Sequence, residues 1–115
     1  MPRFSRMRHL TAGSKSALVG DTTAELLVRY ATLLSRQRTA DSIDINGYDT
    51  TGATTVLTLL INEGLSLVAE QVVTDLPEPD NDAADRYLRS EIEAQLRHQN
   101  PSYDDIAGTR IWNQQ

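Results

Sequence analysis

Asp80, Asp82 and Glu91 occupy positions 1, 3 and 12 of a twelve-residue calcium loop, where carboxylate oxygens would ligate a hard cation. The same window puts Ala84 at the fifth position and Asp85 at the sixth, so an oxygen ligand and the turn glycine are both missing. A four-residue apolar period also begins inside it, and the stretch predicts a solvated helix start rather than a metal site. Gly13-Ser14-Lys15-Ser16 contains part of a phosphate-binding loop but lacks the glycine immediately before the lysine, and no strand precedes it. His9 lies in the N-terminal stretch and His98 at a helix end, with nothing to draw them together. Asp104 and Asp105 could divide acid and base roles, but adjacent carboxylates in an aperiodic tail are ordinarily solvated. No G-x-S-x-G elbow occurs, which removes one common setting for a nucleophilic serine. With no cysteine, thiolate catalysis, disulfides and cysteine-ligated metals are excluded. The residues lean against an enzyme, and neither a cofactor nor a metal is expected.

The elements that would have to position any such chemistry are more legible. The chain has 115 residues, room for one domain. Residues 1–20 carry Arg3, Arg6, Arg8 and Lys15 and no acid, while the remainder carries 7 basic against 16 acidic side chains. Such a body repels phosphate backbones and favours solubility. The first stretch contains Pro2, Gly13 and Gly20 and no sustained period, and predicts a basic irregular arm. From Thr22 the pattern is helical: Thr22 and Glu25 have capping-box spacing, and Leu26, Tyr30, Leu33 and Leu34 form one stripe. A helix is expected over about 22–38.

At Ser42 the period becomes two, with Ile43 and Ile45 alternating against Asp44 and Asn46. Thr50-Thr51-Gly52 and Asn62-Glu63-Gly64 then bracket the run Thr54 to Ile61, and both place glycine third, as a three-residue hairpin loop requires. Two such hairpins would set Ile45 opposite Leu57, Ile43 opposite Leu59 and Leu59 opposite Leu67, gathering the aliphatic side chains on one face. The proline-containing acidic segment 75–82 leads to a second helix capped by Asn81 or Asp82. Ala84, Leu88, Ile92 and Leu96 form its apolar stripe, and it ends near Gln99, before Asn100-Pro101. Tyr103, Ile106, Ile111 and Trp112 make the tail too apolar to be free, and it is expected to dock.

The expected fold class is therefore α+β: helix, three-stranded antiparallel meander, helix, a two-layer sandwich with both helices on one sheet face. Its parts are the arm 1–20, a single domain 21–99 and the docked tail 100–115. The second sheet face, with Val56, Thr58, Leu60, Val68 and Val72, is expected to serve with Trp112 as an interaction surface. Tyr48 should cover a sheet edge.

The function expected is a small non-enzymatic protein–protein interaction module, self-associating as a homodimer through sheet faces or edge strands. One rival is an accessory of nucleic-acid machinery whose arm contacts anions through Arg3, Arg6, Arg8 and Lys15, or whose acidic body competes with DNA for a basic enzyme. Another is an enzyme or ligand binder with its site between subunits. No apolar run approaches the roughly 20 residues of a membrane span, and no signal core follows the first arginines. A cytoplasmic location is expected. Ten arginines to one lysine suggest a GC-rich, prokaryotic coding bias.

Overall fold

The computed structural model describes residues 4–99. Its elements are β1 (Ser5–Ala12), β2 (Lys15–Gly20), α1 (Asp21–Gln37), β3 (Asp41–Tyr48), β4 (Thr54–Ile61), β5 (Leu67–Thr74) and α2 (Asp82–Gln99). The strands form one antiparallel sheet in the order β4-β3-β2-β1-β5. The class is α+β as expected, but the sheet has five strands, not three. The basic stretch is no irregular arm: residues 5–20 form the β1–β2 hairpin, turned at Gly13 with φ +62°. Its alternation escapes notice because both faces of these strands are covered in part, Leu10, Ala17 and Val19 on one side and Met7 on the other. Arg3, the first contact of the expected anion set, lies outside the described residues, as do Trp112 and the whole of the expected docked tail 100–115.

The β3–β4 hairpin has the expected register. Ile43 opposes Leu59 and Ile45 opposes Leu57. The Asp49 N–H donates to the Ala53 carbonyl at 2.8 Å, and Gly52 closes the loop at φ +85°, where a Cβ would clash. The second expected hairpin does not form. Gly64 has no positive φ; Leu65 N–H closes a tight turn on the Asn62 carbonyl, and β5 crosses to the far edge to pair with β1. Leu10 there opposes Ala69, and Ala12 opposes Leu67. Leu57, Leu59 and Leu67 still pack toward the helices, so the facing was right while the neighbour was wrong.

Both helices lie on that apolar face. Leu27, Tyr30 and Leu34 of α1, and Leu88 and Ile92 of α2, are buried against Leu10, Val19, Ile45 and Ile61. Each fully buried aliphatic of this size contributes roughly 1.5–3 kcal/mol. The capping box does not form. Gly20 is the N-cap of α1, with no side-chain cap, and leaves room for the Glu78 carboxylate where a Cβ would stand 2.7 Å from its Oε2. Asp21 and Glu25 instead hold Arg8, and Thr23 donates to Asp85 of α2.

Asn81 precedes α2 but does not cap it with its side chain. Its Oδ1 accepts from Asn46 N–H at 2.8 Å and its Nδ2 donates to the Asn46 carbonyl at 2.9 Å. The side-chain amide thus replaces a strand partner, because β2 meets β3 only at Leu18 and Tyr48. Asp80 Oδ1 takes over the first-turn role by accepting from Asp82 N–H. Tyr48 does not lie over a sheet edge; it is buried, its hydroxyl donating to the Pro77 carbonyl at 2.6 Å.

Candidate interaction surface

Among the described residues the order of strands leaves β4 at one edge, with β3 as its sole strand neighbour. Asn46 directs both backbone groups to Asn81 and so away from β4. In an antiparallel ladder the direction alternates residue by residue. The odd-numbered residues of β3 therefore bond the odd-numbered residues of β4, and Thr54, Val56, Thr58 and Leu60 turn their N–H and C=O groups outward. The same residues point their side chains away from the helices. Val56 is 62% exposed and Leu60 61%. The Thr58 hydroxyl donates to Asp44 Oδ1 at 2.6 Å, fixing its side chain across the hairpin. From Thr50 to Asn62 no residue is ionisable.

A cleft of about 700 Å³ runs beside this edge. One wall is β4 from Thr55 to Leu60; the other is the tip of the β1–β2 hairpin, Ser14 to Ala17. Leu57, half-buried, lines it together with Leu10 and Leu65. The inner side of β4 is thus not fully sealed either.

Two further groups of the hairpin are electrostatically set. Burial opposes ionisation of Asp41, but the Tyr30 and Tyr87 hydroxyls and the Ser42 N–H all donate to its carboxylate and together hold it below the usual range. The same arrangement raises both phenols: Tyr30 chiefly by burial, Tyr87 chiefly through its bond to Asp41, to about 12. Asp49 is held low by the Thr51 hydroxyl and by the N–H groups of Thr51 and Ala53. These donors fix the two carboxylates at the ends of the hairpin, Asp41 through both oxygens and Asp49 through Oδ1 alone.

The expected surface is divided. Val56, Thr58 and Leu60 lie together on β4, but Val68 and Val72 belong to β5, at the opposite edge with three strands between. Val68 is exposed and Val72 half-buried opposite Met7. Among the described residues the basic ones do not gather. Arg8 is taken by Asp21 and Glu25, while Arg6 and Lys15 stand at opposite ends of the β1–β2 hairpin. Gly13 to Ser16 is that hairpin's tip, with no helix N-terminus to hold a phosphate. Among the described residues no cluster of three His, Cys, Asp or Glu is arranged for a metal, and no helix is long and apolar enough to cross a membrane. The free edge itself could not be read from the sequence, because it depends on which strand β5 chooses. No family model matches this chain, and comparison with curated proteins and with solved structures returns no match.

Proposed function

We propose that this protein is a small non-enzymatic interaction module that binds by extending its sheet at β4, and that it does so by self-association. One observation carries the reading: an eight-residue edge strand with outward backbone groups, more than half-exposed Val56 and Leu60, and no charge along it. Edge strands in soluble proteins are ordinarily blunted by charge, proline or a covering segment, because an open ladder pairs with whatever strand it meets. Strand addition of this kind draws affinity from main-chain hydrogen bonds and specificity from alternate side chains.

Sedimentation equilibrium of the whole chain, from about 1 μM to about 1 mM, tests it. A reversible dimer is expected. Thr58→Lys should weaken it at least about tenfold, since a lysine would stand in the new ladder, whereas Val68→Lys on β5 should leave it unchanged. A strict monomer across that range overturns the reading; equal sensitivity at both positions would move the contact from the edge to the sheet face.

A further inference from the structure

We infer that the segment received by β4 is the β4 of a second copy, antiparallel, with the twofold axis passing through Thr58. This rests on the self-association reading above and adds its register. In an antiparallel pair, directly opposed residues share a face, so a strand pairing with itself must be centred on a residue. The outward backbone groups belong to the even-numbered residues, and centring on Thr58 sets them against each other: Thr58 on Thr58, Val56 on Leu60 and Leu60 on Val56 of the second copy. The exposed aliphatic side chains would then cover one another, and the two threonines would meet while each hydroxyl stays on the Asp44 of its own copy. On the other face Leu57 meets Leu59, so the incoming strand brings aliphatic groups to the half-open cleft lined by Leu10 and Leu65.

Neighbouring registers do worse. Centring on Leu57 puts Val56 against Thr58 and Leu60 against Thr54. Centring on Leu59 puts Val56 against Asn62 and Thr55 against Glu63. Charge also permits the contact. The two Asp44 carboxylates, on β3 of each copy, would stand three strand spacings apart, roughly 14–15 Å. That exceeds the screening length of about 8 Å at physiological salt. An isologous pairing of this kind closes on itself and stops at two.

Cysteine cross-linking tests the register, since the chain has no thiol of its own. Opposed residues in such a ladder lie about 5.5 Å apart at Cα, within disulfide range. Under mild oxidation Thr58→Cys should give mostly disulfide-linked dimer. Val56→Cys and Leu60→Cys, each about four residues from its own copy, should give little when oxidised separately and mostly dimer when mixed. Circular dichroism of each variant checks that the fold is retained, and the mixed pair reads the register without the Thr58 substitution. Association without either cross-link, or with Val56→Cys linking to itself, overturns the register but leaves self-association standing. A monomer at all concentrations overturns both.

Discussion

The two edges of the sheet are built on different terms. β5, on one side, carries Glu70 in its middle and runs into the acidic segment that begins at Asp75; its inward side chains, Leu67 and Ala69, are half-buried. β4, on the other, carries no charge at all, yet its inward Leu59 and Ile61 are buried, Ile61 completely. Among the described residues, the strand that is held more deeply from within is the one left undefended from without. The difference teaches that exposure at β4 is not looseness: a strand anchored in the core presents a rigid ladder, and rigidity lowers the ordering cost of binding.

Three tests would break or sharpen this contrast. The largest effect is expected at the anchor. Ile61→Ala should cost about 2–5 kcal/mol in urea unfolding, as cavities in packed cores do, while Leu67→Ala on β5 should cost about half as much. Equal losses would mean that the two edges are held alike.

Acid comes next. Asp41 and Asp49 are both held below the ordinary aspartate value of about 3.9 in the folded chain. A depressed carboxyl binds more protons unfolded than folded, so its contribution is complete above the unfolded value and is lost as pH falls through the folded one. Hydrogen exchange below about pH 4 should therefore open β3 and β4 amides before those of β1 and β5, and Asp41→Asn should flatten the pH dependence of unfolding. Uniform opening would show that the carboxylates do not distinguish the hairpins.

The smallest effect concerns the two turns that bound β4. Gly52→Ala forces a side chain into left-handed backbone and should cost about 1–2 kcal/mol. Gly64→Ala meets only Asn62 Oδ1, at 3.3 Å, with no positive φ, and should change stability by less than about 0.5 kcal/mol. A similar loss at both would contradict the different roles of the two glycines.

These same turns show what was legible in the sequence. Periodicity set the two helices and β3 to β5 within a few residues and put Leu57, Leu59 and Leu67 on the correct face, because alternation reports burial. It did not report neighbours. Leu67 and Ala69 satisfy the apolar face equally well beside Leu59 or beside Ala12 and Leu10, so the choice between adjacent β4 and distant β1 left no local trace. The β1–β2 hairpin was missed for a related reason. Arg6, Arg8 and Lys15 made the stretch look solvated, although Arg8 is drawn onto the first turn of α1. Of the candidate surface, Val56, Thr58 and Leu60 could be named from alternation. Their position on an edge could not, since an edge is defined by the strand that is absent from it.

Pairing of Ser5 with Thr74 has a temporal side as well. Bringing together residues so far apart along the chain is entropically expensive and kinetically slow. During synthesis the β1–β2 hairpin emerges well before β5, and the flank that β5 will occupy stays open until that strand has been made. A nascent chain therefore exposes a border of β1 that the folded sheet covers with β5, and the interval before β5 arrives is when that border can meet the wrong strand.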